Sequence, residues 1–442
     1  MKAKFLWALL LSLTLLLPDA EAGRRAAAPD EDQVVNEATP ADAPAEKKSR
    51  KSRKNKADEE EAAEYQTVAF RVGLWRVFTR GMAAKLEREI PDPELLRSNA
   101  EKGDVNAQLR MGLGTLSGSL GFTQNLKEGA GWLRRCADQN EPWCQTALGI
   151  HHLIGRGNGV DLDDEKGAAL IRKAAESGLP IAQFIYANMA WKGLPGGVPN
   201  EAEALRWFKT AAEQGDVFSQ NQMAKLYFFG NLVPQSKEEA IRWAKKAAEQ
   251  GDGDSELLLG VIYLNSAKPL GDPEQAALWL KKAVSHGEGD AAYHLARLYF
   301  YGIGGATRDP VTAAQWARQG AEQGFSAAQG LLGRMYFVGM GVERDVKASI
   351  HWLVRAAEQG DALAMHTLSA TPPRGGELEP EAIYQWVLLC MKHPELSNYD
   401  GMESHLKKIK KELDGVLTKE EKAEGRRRAK EWRARQESPP QE

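Results

Sequence analysis

Cysteine is scarce, with three in 442 residues, and none sits in a cluster with histidine. No His-Glu-x-x-His and no second Cys/His group occurs, so no spacing here suits a metal ion. An excess of one charge is also missing. Lys and Arg number 58 against 61 Asp and Glu, a formal −3, and nothing global points to nucleic acid as a partner. Gly-x-Ser-x-Gly and the phosphate-loop pattern are absent, and "GRGNG" at Gly155–Gly159 reads as a connection between helices. Acidic residues abound, yet no two are set apart as an acid and a base. The chain is therefore expected to be no enzyme and to need no cofactor. His151 and His152 are adjacent, and neighbours on a helix point in different directions. A packed aromatic role suits His152 better than metal ligation.

One apolar run does stand apart. Lys2 and Lys4 precede Phe5–Leu17, and Ala20-Glu21-Ala22 fits a small-x-small cleavage site. The run is too short to span a bilayer comfortably, so residues 1–22 read as a secretory signal peptide. Export, to a periplasm or to the outside, is the expected destination, and no integral membrane segment is expected in the mature chain. Residues 23–56 are rich in Ala, Pro, Asp and Glu and end in "KKSRKSRKNK", Lys47–Lys56. Such a segment buries too little apolar surface to offset its ordering entropy and is expected to be a disordered linker. Its basic run is either a solvated spacer or a tether to anionic lipid or polysaccharide. Over 57–90, Val68, Val72, Trp75, Met82, Leu86 and Ile90 fall near one helical face. A helix capping the first repeat is expected there, with a membrane-surface helix as the other reading.

From about residue 91 the chain repeats itself. Trp207 precedes Gly215 by eight residues, as do Trp243 and Gly251, Trp279 and Gly287, Trp316 and Gly324, and Trp352 and Gly360. Leu95, Trp132, Leu170 and Trp386 extend the series, and the anchors lie 34 to 38 residues apart. Each unit reads as two helices. In one of them, Asn200 with Glu203 forms a capping box, and Leu205, Trp207, Phe208, Ala211 and Ala212 make an apolar stripe. Gly215 ends that helix in the left-handed conformation, and Asp216 caps the next. Asn140 stands where other repeats have the turn glycine. One unit cannot bury its own apolar faces, but about nine in a row can do so by stacking.

The recurrent A-x-x-x-L-G-x-x-Y-x-x-G-x-G-V…A-x-x-W-x-x-x-A-A-E-Q-G resembles the Sel-like repeat, a branch of the tetratricopeptide superfamily. "LLGRMYFVGMGVERDVKASIHWLVRAAEQGD", Leu331–Asp361, follows it almost throughout. The resemblance covers roughly 91–395. It implies an all-α, right-handed α-solenoid of helix-turn-helix repeats, used as a scaffold or adaptor for other proteins. Residues 396–442 are expected to form C-terminal capping helices, the second opened by Thr418 and Glu421. Cys136 and Cys144 straddle one turn, a spacing that can bring their Cβ atoms within bridging range. Exported cysteine-rich relatives resemble this arrangement, and one disulfide, Cys136–Cys144, is expected. Cys390 matches Cys136 in place but faces Asn398, so a free buried thiol is expected.

Two rows of charge follow the anchors. Bases two residues after them, such as Arg172 and Lys209, have acids four residues further on and read as surface pairs. A second row, one residue before or three after, holds Arg135, Lys173, Arg206, Arg242, Lys246, Lys282 and Arg355. These are expected to find no acidic partner within their own helix. They serve either the helix dipole or a basic surface that takes an acidic protein segment or an anionic envelope polymer. A protein-interaction scaffold of the cell envelope is the leading expectation, with a glycan or peptidoglycan binder as the alternative. A weak β-lactam-binding hydrolase is what the cysteine-rich relatives would imply, and no nucleophile–base arrangement here supports it.

Overall fold

The computed structural model describes residues 69–82, 92–155, 160–370, 377–394 and 401–437. The expected signal peptide, the linker with its basic run and the remainder of the expected 57–90 helix lie outside the described residues. Among the described residues every element is a helix and no strand occurs. The chain divides into two compact units with the boundary between Gln222 and Met223.

In the first unit, after a helix over 69–82, first and second helices alternate. They are Pro93–Glu101 and Val105–Ser117, Leu126–Asp138 and Pro142–Ile154, Asp164–Glu176 and Pro180–Lys192, then Glu201–Glu213. The second unit continues with Lys237–Ala248 and Gly253–Asn265, Pro273–Ser285 and Gly289–Tyr301, Pro310–Glu322 and Ser326–Val338, and Val346–Glu358 and Ala362–Ser369. Pro380–Cys390, Met402–Val416 and Lys419–Glu437 complete it. The unit boundary falls within the helix Val217–Phe229.

Local chemistry places these helices. Asn125, Asp163, Asn200, Ser236, Asp272, Asp309 and Asp345 each accept a hydrogen bond from a first-turn backbone N–H, which satisfies an otherwise orphaned donor. The turns between first and second helices need a left-handed residue. Gly215 has φ 94°, and Asn140, the substitute for glycine, has φ 64°.

Within each unit the close helix contacts lie between a second helix and the first helix of the following repeat. A methyl group built on Gly149 would sit 2.8 Å from the Gly167 carbonyl oxygen and 2.7 Å from Ile171 Cγ1. Gly112 and Gly129 meet in the same way one repeat earlier, and in the second unit Gly260 lies against Leu280 and Gly333 against Leu353. Buried glutamines tie a second helix both to the first helix of its own repeat and to that of the next. Gln108 Nε2 donates to the Ala100 carbonyl at 3.0 Å, and Gln108 Oε1 accepts from Gln139 Nε2 at 2.8 Å. Gln183 with Gln214, and in the second unit Gln329 with Gln359, repeat this rung at 2.9 and 2.8 Å. One rung of the second unit changes chemistry: the buried carboxylate of Glu256 meets His286 Nδ1 at 2.6 Å.

The C-terminal helices pack onto Pro380–Cys390. Leu413 and Leu417 join Ile383, Tyr384 and Val387, while Trp432 and Ala429 lie against Trp386, Leu389 and Cys390. Arg428 bridges Glu379, Glu381 and Glu424, and Thr418 and Glu421 form the expected reciprocal capping box.

The helix over 69–82 is placed differently from the expectation of a cap on the first repeat. Its contacts fall on the next two. Trp75 meets the His151 ring edge-on at 4.6 Å between centroids, and Phe78 lies 5.8 Å from Trp143. Arg71 Nη1 donates to the Leu153 carbonyl and Nη2 to Asp164 Oδ2, each at 2.7 Å, and Gly81 lies close to Ile181. Leu74, Trp75, Phe78 and Met82 are buried.

Two outcomes follow from this packing. Gly149→Ala should lower stability by about 1–3 kcal/mol, because neither the facing backbone nor Ile171 has room for the methyl. Gly131→Ala, with nothing within 4 Å of its Cβ position, should be neutral or stabilising; urea denaturation of both variants checks the pair. His151, fully enclosed, has its pKa lowered to about 4 by burial and then by His152. Its folded value lies below its unfolded one, so the unfolded chain binds the proton first. Stability is fully present above about pH 6.5 and is lost as pH falls toward 4, by on the order of 3 kcal/mol. Thermal melts of the wild type against His151→Leu across that window should show a steeper slope in the wild type.

Candidate partner-binding face

The bases singled out beside the anchors lie over indole rings. In the first unit the guanidinium carbon of Arg135 is 4.7 Å from the Trp132 ring centroid, and that of Arg206 is 5.0 Å from Trp207. The anchor between them is Leu170, which has no ring, and Lys173 Nζ instead donates to Asn140 Oδ1 at 2.6 Å. In the second unit Arg242 and Lys246 lie 5.2 and 4.4 Å from Trp243, Lys282 4.1 Å from Trp279 and Arg355 5.3 Å from Trp352. Trp316 interrupts the series, with Gln315 and Gln319 in the equivalent places. A cation over an indole face is attracted by the ring quadrupole, worth about 0.5–1 kcal/mol at an exposed site. A stacked guanidinium still points its N–H edge outward, where a carboxylate can take it side-on.

The expectation that these bases lack an acid in their own helix is corrected at two positions. Arg242 Nη2 reaches Glu239 Oε2 at 2.6 Å, and Arg206 reaches Glu203 at 3.9 Å. Both acids lie three residues toward the N-terminus, in the first turn favoured by the helix dipole, a direction the sequence reading did not search. Among the described residues no carboxylate lies within ion-pairing distance of Arg135, Lys246, Lys282 or Arg355.

The other row of bases is only partly a set of local pairs. Arg172–Glu176 and Lys209–Glu213 form at 2.8 and 3.9 Å. Arg97 instead reaches Glu128 of the next repeat at 2.9 Å, and Arg318 donates to the Tyr336 hydroxyl at 2.8 Å. Tyr336, at the tyrosine of the recurrent motif, is thus the partner of Arg318. Arg318 and Tyr336 also line an open groove of about 720 Å³ with Arg344, Asp345, Lys347 and Glu377. Its charges are mixed, and none of these groups is a nucleophile activated by a neighbouring base.

Cys136 and Cys144 are joined as a disulfide across their turn, with Cα atoms 5.7 Å apart. Together with Glu141 they are three potential metal-ligating groups, but the bonded sulfurs have no thiolate to offer. Cys390 is free and buried. Its sulfur faces the Ala362 carbonyl as Cys136 faces that of Val105, and burial pushes its thiol up to about 11, which makes it inert. His152 is buried with Nδ1 3.0 Å from the Asp161 carbonyl oxygen, a packed ring.

Stacked helix-turn-helix repeats that present a recurring row of side chains define an α-solenoid built for interaction. The chain belongs to the Sel1 repeat family, which matches 105–141, 144–179, 180–216, 217–252, 253–288, 289–325 and 326–361. Sel1 repeat proteins are generally protein-interaction scaffolds. A protective antigen present in uropathogenic Escherichia coli strains, whose crystal structure displays an SLR fold, is 26% identical, with 79% of this chain and 74% of that chain covered at a TM-score of 0.64. A Sel1 repeat protein from Oxalobacter formigenes is 30% identical over 70% of this chain and 89% of its own, at a TM-score of 0.49. Chitin synthase regulatory factor 3 of Schizosaccharomyces pombe is 28% identical over 135 residues, and the chain spans only 14% of that protein's length.

Replacing Lys282 by Met keeps the apolar stem over Trp279 and removes the charge, and should cost about 0.5–1 kcal/mol in urea denaturation. Lys281→Met, one residue away and outside this row, should cost less.

Proposed function

We propose that the chain is an exported, non-catalytic adaptor that holds a protein partner by an acidic segment laid along the stacked cations on the first helices of its second unit. The observation that carries this reading is a contrast within each cation–indole pair. The aromatic half is held in the packing while the charged half stays exposed, as at Lys246, Lys282 and Arg355, which meet no carboxylate among the described residues. Pinning lowers the side-chain entropy that binding would otherwise cost, so each base is preorganised for a carboxylate. The family's general role supports a protein partner, and the small net charge argues for local rather than global attraction. The signal-like residues 1–22 and the Cys136–Cys144 disulfide support export to an oxidising compartment such as a periplasm.

A photo-crosslinker placed at Arg242 in cells, with one at Glu213 as control, should capture a protein. Changing Arg242, Lys246 and Lys282 to Glu should then weaken that partner's binding at least tenfold and flatten its dependence on salt. Unchanged binding after charge reversal overturns this reading. Capture of glycan alone replaces it with recognition of an anionic envelope polymer.

A further inference from the structure

Four of the connections that enter a first helix share a task, while Pro199 before Asn200 and Gly271 before Asp272 have no side-chain donor for it. The residue just before the N-cap reaches back to the last turn of the preceding second helix and caps a carbonyl there. Gln124 Nε2 bonds the Leu116 carbonyl at 3.0 Å, Gln235 that of Phe228 at 2.7 Å, Arg308 that of Phe300 at 2.9 Å and Arg344 that of Phe337 at 3.2 Å. In the repeat formed by Leu126–Asp138 and Pro142–Ile154, that place before the N-cap Asp163 holds Leu162, which has no donor and is 55% exposed. The carbonyl left over is that of Leu153. It is capped from a distant part of the chain by Arg71, which also pairs with Asp164.

The repeat therefore carries a guanidinium socket that its own loop cannot fill. Beside the socket lies an aromatic wall. Trp143 stands where Asn106, Asp254, Asp290 and Ala327 stand in four other repeats and Ile181, Phe218 and Leu363 in three, and His151 and Ile181 continue the wall. The helix seated there shows what the wall accepts. Arg71, Trp75, Phe78 and Met82 are spaced by four, three and four residues and enter along one face. A helix of this length is marginal by itself, so its order depends on the wall, while the repeat beneath has its own caps and core.

We propose that Trp143, His151, Leu153, Asp164 and Ile181 form a helix-binding site, with the chain's own helix over 69–82 as its resident ligand. The competing ligand it takes is an amphipathic helix with Arg followed by large aromatic or apolar residues four, seven and eleven positions on. The chain's own helix then acts as a tethered competitor, and its removal raises the apparent affinity for an incoming helix by the reciprocal of the open fraction. This inference uses neither the cation–indole row nor the reading of it above.

A fluorescent peptide with the sequence of residues 66–84 is the probe, added to the full-length protein and read by anisotropy. Arg71→Glu combined with Phe78→Ser, which frees the site, should bind the peptide at least tenfold more tightly than wild type. Adding Asp164→Asn to that variant, or replacing Arg71 by Ala in the peptide, should weaken binding at least fivefold. Equal binding to wild type and to the freed variant overturns the proposal, as does no binding to a freed variant whose circular dichroism shows it folded. Leu162→Gln leaves the resident helix intact and supplies the missing cap from the loop. Hydrogen exchange over 69–82 should quicken at least fivefold in it, and unchanged exchange overturns the proposal even where the freed variant fails to fold.

Discussion

The approach of each second helix to the first helix of the following repeat is the constraint on which the rest depends. Where Gly149 and Gly167 meet, backbone lies against backbone, and a single methyl has no place to go. Side chains large enough to bury apolar area are therefore displaced to the flanks of the contact. Leu153 and Ile171, both fully buried, do that work on either side of the small residues. The spacing of the helices follows, and with it the near-constant length of the repeat and the place of the anchor tryptophans.

Structure and recognition share the same atoms in this arrangement. Trp243 is buried because the helices are close, and its exposed rim is closed by Arg242 and Lys246. The cations that shield the indole from water are the ones left facing outward. A change that weakens binding at such a position also touches stability, so the two effects separate only when charge and stem are altered independently, since the stem covers apolar surface and the charge does not.

What was legible in the sequence is what recurs. The turn at Gly215, the cap at Asn200, the anchors and the pairing of Cys136 with Cys144 each rest on neighbours close in the chain. What was not legible rests on contacts across long separations or on unremarkable residues. Gln108 and Gln139 look like ordinary surface glutamines until their repeats stack. The position of the helix over 69–82 turns on Arg71 meeting a carbonyl 82 residues away, and the apolar Leu162 does not mark it, since Pro199 and Gly271 also offer no donor in that place. The partner of Arg242 was missed for a simpler reason: Glu239 lies upstream, in the first turn.

The glutamine rungs say something about which piece of this chain is the transferable one. Glu256 and His286 differ from every glutamine rung, yet each suits the other, and both lie inside the single family match 253–288. Gly149 and Gly167 likewise lie together inside 144–179. A break at the short turns keeps each rung and each close contact whole, whereas a break in the longer connections parts both. The unit that can be duplicated, deleted or grafted without leaving a mismatched scar is thus a second helix with the first helix that follows it, not the hairpin the eye picks out.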